Sequence, residues 1–120
     1  MTKVVLNDSE YGFSLSKKAI DYLEENNAFK DARQKMDLDF YHKWLRKNPE
    51  KDFIGDFNIS RDNPVLIHCI ELLKKEANTC YSNLKIVEYE GRLGKDFFIV
   101  EYDGIESICS KEDYMQLASS

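Results

Sequence analysis

The sequence lacks any segment that marks a protein for a membrane or for secretion. No apolar run is long enough to span a bilayer, and the opening stretch MTKVVLNDSE does not have the pattern of a signal peptide. We therefore expect a soluble, intracellular protein.

Paired cysteines are also missing. Cys69, Cys80 and Cys109 are odd in number and widely spaced, with no CxxC pair and no Cys/His cluster. This spacing indicates neither a zinc site nor a disulfide framework. Buried free thiols are the simpler interpretation, because Cys69 lies near the apolar face of a predicted helix and Cys109 ends a strand pattern.

The chain has no excess of positive charge. It contains 17 Lys and Arg against 22 Asp and Glu, which gives a formal net charge of −5 at pH 7. Broad, sequence-independent binding to DNA or RNA needs a basic face, so we expect no nucleic-acid duplex as a partner. A small anionic ligand held by two or three local arginines stays compatible with this charge.

Motifs for catalysis and phosphate binding are absent too, since the sequence has no P-loop, no GxGxxG and no GxSxG. His42 and His68 fall on predicted helices without a matched nucleophile or metal ligand, and we interpret them as surface or boundary residues. We therefore predict no catalytic residues, no metal site and no cofactor.

What the sequence does contain is organised around residues 61–78, RDNPVLIHCIELLKKEAN. Asp62 and Asn63 can cap free backbone N–H groups, and Pro64 suits a first helical turn. The apolar residues of one face are Leu66, Ile70, Leu73 and Ala77, with Val65 and Cys69 beside them. The stretch is predicted to be an amphipathic helix in a single domain covering residues 1–120.

Three β-rich runs follow this helix, at residues 84–89, 96–102 and 105–109. Asp103-Gly104 lies between the last two and is a hairpin signal, because both central residues of a type I′ turn need positive φ. With a short strand at residues 3–7, we predict an α+β fold. It consists of a three-stranded antiparallel meander plus the N-terminal strand, packed against two or three helices.

The run Phe97 to Val100 is apolar on both faces of its strand. We expect the helix of residues 61–78 to cover one face, and another helix or a partner subunit to cover the other.

Further elements are predicted along the chain. Ser14 or Ser16 can cap a helix that runs to Asn26, with Leu15, Ala19, Ile20 and Leu23 inward. A second helix is predicted for residues 31–47, with Ala32, Met36, Phe40 and Trp44 along one line and Tyr41 and Leu45 adjacent to it. We also expect a short strand at residues 57–59 and one or two helical turns at residues 111–117.

The turn YGFSLS leads into a helix N-terminus, whose free N–H groups suit a phosphate, although the physics alone favours a serine, Ser14 or Ser16, that only caps the helix. Tyr11 and Phe13 can stack on a base or fill the core. Arg61, Arg92 and Lys95 lie in turns and are candidate phosphate partners. Arg92 and Lys95 can equally be solvated charges at a hairpin tip.

Four blocks of the sequence, in order, resemble a family of small phage and large-virus proteins. They are YGFSLSKKAI, RDNPVLIHCIELLKKEAN, LKIVEY and VEYDGIE, about a third of the chain. The family pattern runs roughly YGGFGLS, R-x-DP-x-LV-x-x-VEELG-x-x-ANG, LKIVEIP and IEEYDGIE. On these motifs the chain is similar to the viral Thoeris anti-defence sponge family of the first type.

The resemblance implies a protein that binds its ligand without cleaving it. Members of the family sequester cyclic ADP-ribose isomers made by bacterial TIR-domain enzymes, and some also hold cyclic oligonucleotides. They assemble as homo-oligomers, dimers and hexamers, with the ligand between subunits, which implies action in the cytoplasm of the infected host cell. The residues expected to contact the ligand here are Tyr11, Phe13, Ser14, Arg61, Asn78, Arg92, Lys95 and Asp103.

The chain departs from the family pattern at several positions. Ser14 replaces a glycine, Asn63 interrupts the usual Asp-Pro, and Thr79 replaces the glycine of the usual Asn-Gly. The family commonly ends in a His-Arg-Thr-Trp type tail, whereas residues 110–120 here contain no arginine. If a tail arginine holds the phosphate in the relatives, binding here is altered, lost or supplied by Lys111.

Two other functions stay open from the residues alone. One is a non-catalytic viral protein–protein interaction or inhibitor module that uses the acidic surface and exposed aromatic residues. The other is a hydrolytic enzyme of the phosphodiesterase kind, which predicts turnover of the ligand where a binding protein releases it unchanged.

Overall fold

The computed structural model describes residues 1–29, 38–49 and 59–119. The strands in these residues are β1 (Thr2–Asn7), β2 (Leu84–Tyr89), β3 (Phe97–Tyr102) and β4 (Ile105–Ser110). The helices are α1 (Lys17–Glu25), α2 (Leu38–Lys47), α3 (Pro64–Leu73) and α4 (Lys111–Ser119), and a 3-10 turn (Lys74–Ala77) continues α3. The predicted α+β class is confirmed.

The strands form two antiparallel pairs, so the predicted three-stranded meander is wrong. β2 pairs with β1, from Thr2 opposite Tyr89 to Asn7 opposite Leu84, and β3 pairs with β4. The loop between β2 and β3 folds back on itself, because the N–H groups of Lys95 and Asp96 both donate to the carbonyl of Arg92. β3 therefore leaves the plane of β2, and the N-terminal strand takes the place expected for β3.

The hairpin of β3 and β4 has the turn that its sequence predicts. Asp103 and Gly104 have φ values of 50° and 86°, which is the positive φ at both central positions of a type I′ turn. This prediction is confirmed.

The β1–β2 pair is a middle layer with apolar residues on both faces. Val5 faces the helices together with Ile86, whereas Val4 and Leu6 face the other way and pack with Phe97. Successive side chains of a strand alternate between faces, so six residues of β1 serve two cores. The layers are therefore helices, the β1–β2 pair, and the β3–β4 pair.

This layering corrects the expected covering of β3. Helix α3 packs on β1 and β2, and the inner face of β3, with Phe97 and Ile99, packs on β1. Near the start of β3 the outer face is covered by α4, where the Phe98 ring stacks on Tyr114 with centroids 4.0 Å apart, whereas Tyr102 at its end is exposed. The element predicted at residues 111–117 is thus a helix with a packing role.

Helices α1 and α3 follow their predicted caps and faces. Ser16 is the N-cap of α1 and accepts from the N–H of Ala19, and Asn63 is the N-cap of α3. The predicted inward residues of α1, Ala19, Ile20 and Leu23, are all buried, and so is Leu15 just before the helix. Helix α3 ends earlier than predicted, because Lys74 has a φ of 53° and the chain continues as a 3-10 turn.

Helix α2 turns part of the predicted line inward. Trp44 is partly buried and packs on the core, as do the adjacent Tyr41 and Leu45, of which Tyr41 is fully buried. Phe40 is exposed, contrary to the prediction, and Ala32 and Met36 lie outside the described residues. Most of the strand predicted at residues 57–59 also lies outside them, and Ile59 is buried without belonging to a strand. Across the described ranges, no helix combines the length and apolar character needed to cross a bilayer.

Substituting Leu66→Ala tests this packing, with Leu72→Ala as a matched control on the same helix. Leu66 is fully buried and Leu72 is exposed, so Leu66→Ala should lower the free energy of unfolding by about 3 kcal/mol. Leu72→Ala should change it by less than about 0.5 kcal/mol. Urea titration measures both, and equal losses would contradict the assigned face of α3.

Candidate functional site

A largely buried ion pair joins the loop before α3 to β4. Arg61 Nη1 donates to Glu106 Oε1, and the two side chains are 21% and 8% exposed. The same carboxylate oxygen accepts from the backbone N–H of Asn7 at 2.8 Å. Because a buried carboxylate is costly without a partner, Glu106 depends on both donors.

Arg61 also contacts the loop that follows β1. Its guanidinium carbon lies 3.6 Å from the centroid of the Phe13 ring, a cation–π geometry. Its backbone carbonyl accepts from the N–H of Val5 at 2.9 Å. The Arg61 side chain is therefore held by a carboxylate and an aromatic face, and its main chain is held by β1.

Asn7 is the second centre of this network and is fully buried. Its amide nitrogen donates to the carbonyls of Ser9 at 2.9 Å and Gly104 at 3.0 Å. Its amide oxygen accepts from the N–H of Asn83 at 3.0 Å. One side chain thus ties together three loops, at residues 8–13, 79–83 and 103–104.

Two of these loops carry an exposed tyrosine and the third directly follows one, and we call the three loops together the tyrosine surface. Tyr11, Tyr81 and Tyr102 are 69%, 44% and 82% exposed. The rings of Tyr11 and Tyr81 meet edge to face with centroids 5.7 Å apart. Tyr102 immediately precedes the turn whose Gly104 lies against the backbone of residues 10–12.

The structure brings four of the predicted ligand residues to this surface: Tyr11, Phe13, Arg61 and Asp103. Tyr11 lies on it, Phe13 lies beneath the guanidinium of Arg61, and Asp103 occupies the hairpin turn. Exposed tyrosine rings and loop backbone groups that lie this close together can hold a planar aromatic ligand by stacking and hydrogen bonds.

Two other predicted residues, Ser14 and Asn78, form hydrogen bonds within the fold instead. Ser14 is buried and shares a hydrogen bond of 2.6 Å with the hydroxyl of Thr79. Asn78 accepts from the N–H of Leu84 at 2.8 Å, which fixes the start of β2. Ser16, not Ser14, caps α1, and its own N–H donates to the carbonyl of Ala77.

The last two predicted residues, Arg92 and Lys95, lie far from Arg61. They are exposed in the loop after β2, beside the Thr2 end of β1, where the Thr2 hydroxyl donates to the carbonyl of Gly91. Arg61 lies at the Asn7 end, and a six-residue strand separates the two ends by about 17 Å. The eight predicted residues therefore do not form one cluster.

Three residues of the site were missed by the sequence reasoning: Asn7, Tyr81 and Glu106. Glu106 carried a usable signal, because it shares the inner face of β4 with Ile108. A carboxylate on an inward strand face requires a cation nearby. Asn7 and Tyr81 follow apolar or mixed stretches that give no comparable signal.

An open, shallow cavity of about 590 Å³ lies at the opposite end of β1 and β2. It is lined by Met1, Glu88, Tyr89, Glu90, Gly91 and Asp96. Among the residues that the structure describes, no group of His, Cys, Asp and Glu is arranged to hold a metal ion.

Cys69 and Cys109 are buried, as predicted, but Cys80 is exposed. Burial raises the pKa of the Cys69 thiol to about 11, because the thiolate loses hydration.

Comparisons with known proteins give no match: no family model fits the chain, and neither does any curated protein or solved structure.

The contact of Gly104 with the loop of residues 8–13 can be tested with Gly104→Ala and Gly94→Ala. Both glycines have similar positive φ, 86° and 84°, so both variants carry the same backbone strain of about 1–2 kcal/mol. A Cβ at Gly104 would also lie 2.6 Å from the Glu10 carbonyl carbon, whereas one at Gly94 meets nothing within 4 Å. Gly104→Ala should therefore lower unfolding free energy by at least ~1 kcal/mol more. Equal losses in urea titration would contradict the docking of this turn.

Thiol labelling gives an independent check on burial. Near pH 8, about one Cys69 thiol in a thousand is ionised if its pKa is about 11. Iodoacetamide should therefore modify Cys80 well before Cys69, as read by peptide mass spectrometry. Equal rates for the two cysteines in the folded protein would contradict the burial of Cys69, and denaturant should equalise them.

Proposed function

We propose that this protein is a viral anti-defence binding protein that sequesters a cyclic nucleotide-type immune signal without cleaving it. The ligands are cyclic ADP-ribose isomers, with cyclic oligonucleotides as a second set. In this proposal the protein acts in the cytoplasm of the infected host cell, as do the sponges that its sequence resembles.

The observation that carries the proposal is that the resembling blocks meet in space. Phe13, from the first block, contacts Arg61 at the start of the second, and Arg61 pairs with Glu106 at the end of the fourth. The third block, β2, is joined to the second through Asn78 and Leu84. Blocks that are distant in the sequence therefore converge beside the tyrosine surface.

The chemistry of this surface supports binding of a nucleotide. Exposed Tyr11 and Tyr81 present ring faces and edges on which a base can stack, a contact that tolerates different bases. Arg61 is paired with Glu106, so the arrangement favours holding a ligand over acid–base chemistry on it.

We also propose that the protein assembles as a dimer or hexamer, because ligand capture between subunits would cover the exposed tyrosines. Light scattering measures the assembly, and a strict monomer that still binds the ligand would contradict capture between subunits.

A protein–protein interaction or inhibitor module is the second candidate, and the outer face of the β3–β4 pair favours it. The outer face of the β3–β4 pair carries Val100, Tyr102, Ile105 and Ser107 without a charged residue, and Tyr102 and Ile105 are exposed. Uncharged apolar faces are typical of contact surfaces for proteins. A host protein captured by the intact chain and lost in Ile105→Lys would support this candidate.

Isothermal titration with cyclic ADP-ribose isomers and cyclic trinucleotides tests the sponge function. We expect binding, recovery of the unchanged ligand after heat release, and a loss of affinity of about tenfold in Tyr11→Ala or Tyr81→Ala, since each stacked base contributes about 1–3 kcal/mol. Tyr114→Ala is the control, because Tyr114 stacks on Phe98 away from the tyrosine surface. Absence of binding by the folded wild-type protein, or cleavage of the ligand, would overturn the proposal.

A further inference from the structure

We infer that the tyrosine surface recognises its ligand through the base, and that Arg61 positions this surface instead of binding a phosphate. The inference rests on the proposed function and specifies which part of a nucleotide the site takes. It differs from the prediction made from the sequence, in which Arg61 contacts the ligand directly.

The first support is that Arg61 is already engaged. Its Nη1 donates to Glu106 and its guanidinium lies over Phe13, with the side chain largely buried. A phosphate that took Arg61 would leave the Glu106 carboxylate buried, with the N–H of Asn7 as its remaining donor among the described residues. A buried charge without its partner is strongly unfavourable, so the binding free energy of the ligand would have to offset this penalty.

The second support is the charge around the tyrosines. Glu10 directly precedes Tyr11 and Asp103 directly follows Tyr102, and both carboxylates are exposed. Lys85, at the start of β2, has its ammonium group 3.8 Å from the Asp8 carboxylate. This setting disfavours a phosphate at the tyrosines, whereas a neutral base can stack there and donate its N–H groups to carboxylates.

The third support is the way the pair holds the loops. Glu106 joins Arg61 to Asn7, and Asn7 bonds to the carbonyls of Ser9 and Gly104 and to the N–H of Asn83. Each of these three groups lies in a loop of the tyrosine surface. Removing the Glu106 charge should therefore loosen the loops around Tyr11 and Tyr81 without reaching the helical core.

The wild-type protein tests the chemistry without any variant. Cyclic ADP-ribose binding should change by less than about threefold between roughly 50 and 500 mM NaCl, because stacking is not screened by salt. Adenosine should compete with the cyclic ligand, and inorganic pyrophosphate should not. A steep loss of affinity with salt, or competition by pyrophosphate and not adenosine, would overturn the inference.

Glu106→Gln then separates the two roles of Arg61. If Arg61 only positions the surface, this variant should bind two- to tenfold more weakly with the same flat salt dependence. Amide exchange should rise in residues 8–13 and 79–83 and stay unchanged in α1. If Arg61 binds phosphate, freeing it from the carboxylate should strengthen binding and steepen the salt dependence, which would contradict positioning.

Glu101→Gln is the matched control, because Glu101 lies opposite Glu106 on β3 but is exposed. It should leave affinity and loop exchange unchanged. Arg61→Lys should recover part of the affinity lost in Arg61→Ala, since it keeps the charge beside Glu106.

The outcomes also separate the inference from the proposed function. Binding that depends steeply on salt defeats the inference and leaves the sponge function standing. Absence of binding to every cyclic nucleotide and nucleoside contradicts both.

Discussion

The buried pair of Arg61 and Glu106 is the interaction on which the arrangement of this protein's loops depends. Two strand pairs and a helix start meet at it: β4 supplies the carboxylate, the loop before α3 supplies the guanidinium, and the end of β1 supplies a backbone donor. A buried pair is weak evidence for stability on its own, but breaking one partner is costly. The pair therefore fixes where the β3–β4 hairpin sits against β1.

The parts of the fold that depend on local sequence were predicted well. The Asp103-Gly104 turn, the Ser16 and Asn63 caps and the inward residues of α1 all follow from neighbours within a few positions. Strand pairing does not, because β1 and β2 are separated by most of the chain. An alternating pattern shows that a strand has two faces, but it contains no information on which strand lies beside it. The meander was wrong for this reason.

The site was predicted in part for a similar reason. The sequence blocks that resemble the sponge family predicted a shared site for Tyr11, Phe13, Arg61 and Asp103. The structure brings these blocks together through contacts between residues far apart in the chain. Arg92 and Lys95 were added because they lie in a turn, which indicates exposure and not location. Glu106 was missed although its strand register turns it inward, because its partner lies forty-five positions away.

A double-mutant cycle with Arg61→Ala, Glu106→Ala and the combined variant tests the central claim most directly. The free energy of unfolding of all four proteins, from urea titration, gives the coupling between the two side chains. If the pair joins the β3–β4 hairpin to the rest of the fold, the coupling should be about 1–3 kcal/mol, with each single variant nearly as unstable as the double. A coupling near zero, with additive losses, would contradict this account.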